Sequence, residues 1–329
     1  MAGHERHPCP ARLRARHSRH PRGRGTAGLG EALVGALFLG AATSLSGLTA
    51  SIVAAARGLP ELAVSNAVGG IAAQTAFLVI ADFCHRRVNL EHAAASVENL
   101  LYGILLCGLL AVPLIAQYTP AGTLWNLHPA SLVLIALYLG GLRLARQTRR
   151  GPLWKPEQTR ETQPDAPAPD NLQRSLTALN LQFAGLAALT AAAGWLIALS
   201  GEQLMVRHGL SESVTGALLT AIATSTPELV TTIAAVRRGA LTLAVGGIMG
   251  GNLFDVLFLA AADAAWQEGS LYHAMTGRQS YLLALTILMT ATLLAGLIVR
   301  EKHGVARIGF ESGLVLVIYV GGMAMLAFR

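Results

Sequence analysis

Long apolar stretches separated by short polar segments dominate the pattern of hydrophobic positions along this chain. A helix needs about 20 apolar residues to cross the hydrocarbon core of a bilayer. Nine stretches come close to that length, and seven of them contain no charged residue. They cover residues 32–56, 62–81, 99–117, 124–142, 175–201, 213–236, 239–262, 279–299 and 312–328. The pattern therefore predicts an all-α polytopic membrane protein with nine transmembrane helices.

The basic residues fall mainly on one side of this predicted topology. If successive loops alternate between the two sides of the membrane, 21 of the 25 Lys and Arg residues face one side and four face the other. Short loops rich in Lys and Arg stay in the cytoplasm. We therefore expect a multi-pass protein of the cell membrane whose N-terminus is cytoplasmic and whose C-terminus is outside.

Composition excludes several other classes of protein. Of the residues, 53% are hydrophobic and 13% are charged, whereas soluble domains average about 25% charged residues. The three cysteines are too few and too scattered for a disulfide framework or a cysteine metal cluster. The net charge of +7 comes largely from a basic tail and from loops, so it indicates contact with anionic lipid head groups rather than with nucleic acid. The expected partners are the lipid bilayer and inorganic cations.

The two halves of the chain are related by an internal repeat with a constant offset of 181 residues. Residues 28–82 align without a gap with residues 209–263, and the matches include a Glu, an Arg, an Asp and a glycine pair in one register. The two repeats enter the membrane from opposite sides, which is the construction of many secondary transporters. The predicted parts are a basic tail (1–27), a first repeat of four helices (28–147), a proline-rich cytoplasmic linker (148–174) and a second repeat of five helices (175–329).

The sixth predicted span carries the first group of candidate cation ligands. Pro227 lacks a backbone N–H and deprives the carbonyl of Ala223 of its helical partner. Thr224 and Glu228 are four residues apart and lie on one face of the helix, next to Ser225. Carbonyl, hydroxyl and carboxylate oxygens suit hard cations such as Na⁺ and Ca²⁺. We therefore predict a cation site in the middle of this span.

The seventh predicted span carries a second carboxylate. Asn252 and Asp255 follow a glycine pair and lie three residues apart on one face. A carboxylate at mid-span costs roughly 2.5 to 3.5 kcal/mol on insertion scales and marks a functional site by default. Since no span holds a basic residue at that depth, two carboxylates on adjacent spans favour a shared cation site.

These two motifs resemble those of the sodium/calcium exchanger membrane family, part of the calcium/cation antiporter superfamily. The similarity rests on residues 216–228 with their Thr-Ser-x-Pro-Glu-Leu core, and on residues 250–255, which resemble the family's Gly-Ser-Asn-Ile-Phe-Asn/Asp motif. It implies ten spans in two inverted five-helix repeats, of which the first helix is missing here, and exchange of Ca²⁺ for Na⁺ or H⁺ by alternating access. It also implies cation-ligand positions at Thr224, Ser225, Glu228 and Asp255, with Asn252 in support.

The first repeat departs from the family's pattern. Ser46 and Gly47 stand where the family has Pro-Glu, although Thr43 and Ser44 remain. Gln74 stands at the position that matches Asp255, so we expect Thr43, Ser44 and Gln74 to line the site from this side. Calcium affinity depends on the charge of the ligands. Two carboxylates where the family usually brings three therefore predict a weaker divalent site, or one that handles monovalent cations and protons.

The sequence thus predicts a secondary active cation antiporter with Ca²⁺, Na⁺ or H⁺ as substrates and no cofactor. An alternative is a degenerate paralogue that does not transport and acts as a binding or regulatory membrane protein. An intramembrane enzyme is disfavoured, because no His or other nucleophile accompanies the carboxylates at mid-membrane depth.

Other acidic residues lie near the ends of the predicted spans. Asp82 and Asp263 are expected to be hydrated at these ends. Glu31 and Glu212 are expected to cap helix starts, where the helix dipole favours a carboxylate.

Overall fold

The computed structural model of the protein describes residues 40, 42–84, 89–149, 175–301 and 309–328. The predicted basic tail, the beginning of the first predicted span, Glu31 and nearly all of the predicted linker lie outside the described residues. The helices are α1 (Leu45–Ala56), α2 (Pro60–Cys84), α3 (Leu90–Ala94), α4 (Val97–Ala116), α5 (Pro129–Arg149), α6 (Leu176–His208), α7 (Glu212–Val214), α8 (Ala221–Thr224), α9 (Thr226–Arg237), α10 (Leu241–Asp255), α11 (Leu257–Ala265), α12 (Gly277–Val299) and α13 (Phe310–Ala327).

The described helices account for the second to ninth predicted spans. Seven of them are long and apolar enough to cross a membrane when α10 and α11 are taken together, and the α7–α9 segment, bent by 44°, makes an eighth. The described part of the first span is α1, with 12 residues. The all-α membrane class predicted from the sequence is confirmed. The count of nine stays a prediction, because the start of the first span is not among the described residues.

Helix α2 forms the centre of the structure. Nearly all of its side chains are buried, and it packs against α1, α9, α10, α12 and α13. A helix that is apolar on every side belongs in the interior of a bundle. Helix α6, in contrast, exposes large apolar side chains such as Leu181, Leu186 and Leu189, which suits a helix that faces lipid.

The sixth predicted span is a broken helix that crosses α2 at backbone contact. Between α7 and α8 it widens into a π-helical turn over Thr215–Thr220, and at Ser225 it breaks before α9 begins. A Cβ atom built on Gly69 of α2 would lie 2.6 Å from the Cα atom of Ala217, and one built on Gly216 would lie 2.8 Å from the Leu62 carbonyl oxygen. Only glycine permits this approach, which brings the break beside the polar residues of α2.

Asp263, near the end of α11, is a buried acceptor that joins the two halves of the chain. It is 0% exposed, and its carboxylate accepts hydrogen bonds from Leu271 N at 2.9 Å, His128 N at 2.8 Å and Ser131 Oγ at 2.7 Å. The expectation that it is hydrated is therefore wrong. The carboxylate instead satisfies donors at the start of α5 and in the loop that follows α11.

Asp82, at the end of α2, has the matching arrangement. It is 1% exposed and accepts from Leu90 N at 2.8 Å and from Ser312 Oγ at 3.2 Å. These three residues correspond by the offset of 181 to Asp263, Leu271 and Ser131. Each half of the chain thus offers a serine to the aspartate of the other half, and the hydrated state expected for Asp82 is also wrong.

Glu212 caps a helix other than its own. Its Oε2 atom accepts from Leu62 N at 3.1 Å, in the first turn of α2. The capping expected of Glu212 is therefore observed between elements, and it ties the start of the broken helix to the start of α2.

Replacing Asp263 by Ala should destabilise the protein, because it leaves two backbone donors and the Ser131 hydroxyl without their buried acceptor. A buried unsatisfied group costs about 1 to 3 kcal/mol. We expect a lower midpoint of thermal unfolding in detergent for Asp263→Ala, and an unchanged midpoint for Glu268→Ala, which removes an exposed carboxylate from the next loop. Equal midpoints for the two variants would contradict this role of Asp263.

Candidate cation-binding site

A small buried cavity lies where the start of α1, the middle of α2, the broken helix and the α10–α11 junction meet. The cavity has a volume of about 10 Å³, which is room for a single water-sized particle. The residues that line it are Ser44, Gly47, Asn66, Gly70, Gln74, Thr224, Ser225, Glu228, Asp255 and Phe258. Residues of both repeats therefore share one cavity.

Two carboxylates enter this cavity at interruptions of helices. Glu228 is 6% exposed and lies in the first turn of α9, where the positive end of the helix dipole favours an anion. Asp255 is 1% exposed and is the last residue of α10, where the negative end of a helix favours a cation. None of the described residues that line the cavity is basic. The two carboxylates thus have no protein cation beside them in the cavity.

Neutral residues of the first repeat hold one oxygen of each carboxylate. Gln74 Nε2 donates to Asp255 Oδ2 at 2.6 Å, and Ser44 Oγ donates to Glu228 Oε1 at 3.2 Å. Gln74 Nε2 also lies 3.4 Å from Ser225 Oγ. Because the amide nitrogen of Gln74 donates to Asp255, the amide oxygen of Gln74 is not the atom that contacts this carboxylate oxygen.

Three buried oxygen atoms of these residues accept no hydrogen bond within the described part of the chain. They are Gln74 Oε1, Glu228 Oε2 and Asp255 Oδ1. A buried acceptor without a donor costs about 1 to 3 kcal/mol, and more when the group is charged. All three residues line the cavity, and amide and carboxylate oxygens are the ligand chemistry of a hard cation.

Six of the nine predicted site residues line the cavity: Ser44, Gln74, Thr224, Ser225, Glu228 and Asp255. Ala223 is exposed and does not line it. The break lies at Ser225, and the carbonyl of the preceding residue, Thr224, accepts from Ser46 Oγ at 2.9 Å. The cross-repeat bond at the break therefore uses the Thr224 carbonyl, one residue beyond the carbonyl expected from Pro227.

The other two predicted residues lie beside the cavity and do not line it. Thr43 Oγ1 donates to Gly40 O at 2.9 Å, and the Thr43 side chain also interacts with Glu228. Asn252 is fully buried and donates to Thr75 Oγ1 at 3.2 Å, which joins α10 to α2. Thr43 thus contacts a residue that lines the cavity, whereas Asn252 contacts one that does not.

Asn66 and Phe258 line the cavity but were not among the predicted site residues. Asn66 Nδ2 donates to Gly47 O at 3.1 Å and to Ser51 Oγ at 2.9 Å, and its Oδ1 accepts from Thr224 Oγ1 at 3.4 Å. An amide in the middle of an apolar span is a signal that could have identified Asn66. Phe258 gives no comparable signal, because one more aromatic residue in an apolar helix is unremarkable.

The acidic part of the site is a pair of residues. Among the described residues, no group of three or more His, Cys, Asp or Glu side chains is placed to hold a metal ion. Cation binding in this cavity therefore has to combine two carboxylates with neutral oxygen ligands.

A family model described as "Sodium/calcium exchanger protein" matches residues 23–145 and 178–328 of the chain. The chain is 31% identical over 145 residues to the putative antiporter CaxA of Alkalimonas amylolytica, which covers 44% of this chain and 43% of that protein. It is 23% identical over 112 residues to the sodium/calcium exchanger MaX1 of Methanosarcina acetivorans, which covers 34% of this chain and 32% of that protein. The chain thus aligns with less than half the length of these curated relatives.

Solved structures of exchangers share the fold over most of the chain. The sodium-calcium exchanger NCX_Mj, from crystals soaked with 10 mM Na⁺ and zero Ca²⁺, superposes with a TM-score of 0.56 at 18% identity and covers 89% of this chain and 86% of its own. Native YfkE superposes with a TM-score of 0.56 at 14% identity and covers 89% and 88%. At these identities the likeness concerns the fold alone.

Replacing Gln74 by Glu should make the stability of the protein depend more strongly on Ca²⁺. The substitution removes the amide donor from Asp255 and adds a third negative charge, and charge count tunes calcium affinity. We expect added Ca²⁺ to raise the midpoint of thermal unfolding more in Gln74→Glu than in the unmodified protein. Gln74→Leu, which removes the amide without adding charge, serves as the control. A Ca²⁺ response that is the same in both variants would contradict the placement of Gln74 at the site.

Proposed function

Because the chain belongs to the sodium/calcium exchanger protein family, we propose that it is a secondary active antiporter that moves Ca²⁺ or another cation against Na⁺ or H⁺ by alternating access. The observation that carries this proposal is the pair of buried carboxylates with unbonded oxygen atoms and no basic partner. A cation of suitable size would supply the missing charge and accept coordination from Gln74, Glu228 and Asp255.

Uncompensated charge would also account for coupled exchange. An ion buried away from water costs several kcal/mol unless an opposite charge accompanies it. A closed state of the site with both carboxylates ionised and no cation is therefore unfavourable. Under this proposal the access to the site changes from one side of the membrane to the other only when the two charges are neutralised. One divalent cation, one monovalent cation with a proton, or two protons would meet that condition, and it makes the protein exchange one cation for another.

The first repeat would contribute the geometry of the site rather than its charge. Gln74 holds one oxygen of Asp255, and Ser44 holds one oxygen of Glu228. With these oxygens fixed, the remaining oxygen of each carboxylate is available for the cation. The proposal therefore assigns ligand roles to Glu228 and Asp255, a combined ligand and positioning role to Gln74, and positioning roles to Ser44 and Asn66.

A non-transporting or regulatory membrane protein is the second candidate. Its support is Gly47, which stands at the position that corresponds to Glu228 by the offset of 181 and leaves the first repeat without a carboxylate in the cavity. Cation flux decides between the two candidates, because a regulatory protein would bind a cation without moving it across the membrane.

Replacing Glu228 by Gln should abolish transport. The change keeps the size of the side chain and removes half of the negative charge of the cavity. Reconstituted vesicles with an outward Na⁺ or H⁺ gradient should take up radioactive calcium with the unmodified protein and should show background uptake with Glu228→Gln. Glu268→Gln makes the same exchange in an exposed loop and should keep full uptake. Undiminished uptake by Glu228→Gln would remove the central assignment.

The two-carboxylate site should bind calcium more weakly than the site of a relative that keeps the acidic motif in both repeats. Ligand charge sets calcium affinity, and this cavity offers one carboxylate fewer. In the same uptake assay we expect half-saturation at a higher calcium concentration than for the full-motif relative. Half-saturation at the same concentration would show that the missing carboxylate does not limit affinity.

A further inference from the structure

Gly47 occupies the position in the first repeat that corresponds to Glu228 in the second. It lies in α1 and lines the same cavity as Glu228, so a longer side chain here would start at the edge of the site. The Gly47 carbonyl is held by the Asn66 amide at 3.1 Å, which fixes the backbone at this point. The space beside Gly47 therefore decides whether the first repeat could contribute a charge.

Phe258 fills that space. A Cβ atom built on Gly47 would lie 2.8 Å from Phe258 Cε2 and 3.6 Å from its Cδ2 and Cζ atoms. Contacts of a Cβ atom below 3.0 Å do not occur in well-packed proteins, so any residue other than glycine at position 47 requires the ring to move. Phe258 and a carboxylate-bearing residue at position 47 exclude each other in this packing.

The ring of Phe258 is held by its own surroundings. Phe258 lies in the first turn of α11, three residues after Asp255, and is 3% exposed. It packs edge to face against Phe254 with 6.0 Å between the ring centres, and Phe254 packs in the same manner against Tyr138 at 6.3 Å. Aromatic pairs of this geometry are favourable. The seventh span, which supplies Asp255 at the end of α10, thus also supplies from α11 the ring that blocks the first-repeat position.

We propose that Phe258 is a specificity-determining residue, which occupies the place of a third carboxylate at position 47 and limits the site to two negative charges. The inference rests on the proposed function in that it names what the site accepts: one divalent cation, one monovalent cation with a proton, or two protons. The ring is the apolar part of the cavity lining and offers no cation ligand. Removing the ring and adding a carboxylate should together produce a three-carboxylate site, and neither change alone should do so.

The test is a double-mutant cycle on the full chain in detergent, with Gly47→Glu, Phe258→Ala and the two combined. Thermal unfolding without divalent cations measures the packing. We expect Gly47→Glu and Phe258→Ala each to lower the midpoint, and Gly47→Glu to lower it less in the Phe258→Ala background than in the unmodified protein. Calcium titration then measures the charge, and we expect the double variant to bind Ca²⁺ about tenfold more tightly than the unmodified protein.

Two smaller substitutions serve as a matched pair that separates volume from charge. Gly47→Ala should lower the midpoint because its Cβ meets Phe258, and this loss should be smaller in the Phe258→Ala background. Gly251→Ala should change the midpoint little, because its Cβ would meet no atom nearer than Gln74 Oε1 at 3.6 Å. Both glycines line or border the same cavity, so equal effects of the two alanines would overturn the role of Phe258.

The outcomes also distinguish this inference from the proposed function. A Gly47→Glu variant with an unchanged midpoint, or a double variant without coupling between the two changes, would overturn the inference even if the protein transports cations. A coupled double variant that binds Ca²⁺ no more tightly than the unmodified protein would also overturn it. Absence of flux from every protein, with coupling and tighter binding intact, would leave the inference standing and would refute the proposed antiport.

Discussion

The structure depends most on two carboxylates that lie deep in an apolar bundle without a positive charge beside them in the cavity. Glu228 and Asp255 would be expensive at this depth if the fold left them as they are. Two features bear on this energetic cost. A neutral donor holds one oxygen of each carboxylate, and the cavity between them is small. The described residues offset this cost only in part, and under the proposed function a bound cation would offset the rest.

The two halves of the chain contribute unequally to this arrangement. The second repeat supplies both acidic groups, whereas the first supplies hydroxyl and amide groups through Ser44, Asn66 and Gln74. Outside the cavity the two halves match: Asp82 and Asp263, which correspond by the offset of 181, each accept a hydrogen bond from a backbone N–H eight residues later. The supporting contacts of the two halves therefore match, whereas their contributions to the cavity differ.

Much of the fold and the acidic centre of the site could be predicted from the sequence, because hydropathy and mid-span charge are local properties. Pro227 predicts a freed carbonyl at Ala223, but the carbonyl that accepts a bond from the other repeat is that of Thr224. A proline shows that a helix is disturbed, but it does not show which carbonyl finds a partner in a distant part of the chain. The positions of Asp82 and Asp263 at span ends predict hydration. The serine donors that instead bind them come from distant helices, which a local pattern does not show. The part played by Phe258 depends on a contact between repeats that no local pattern encodes.

The position of a bound cation is the most direct test of the proposed site at Glu228 and Asp255. Crystals grown with strontium in place of calcium would show the ion by its anomalous scattering. We expect one peak inside the cavity, at a distance from oxygen atoms of Glu228 and Asp255 slightly longer than the about 2.3 to 2.6 Å of calcium–oxygen contacts, with Gln74 Oε1 as a further ligand. A well-ordered strontium ion bound elsewhere in the bundle, with this cavity empty, would contradict it.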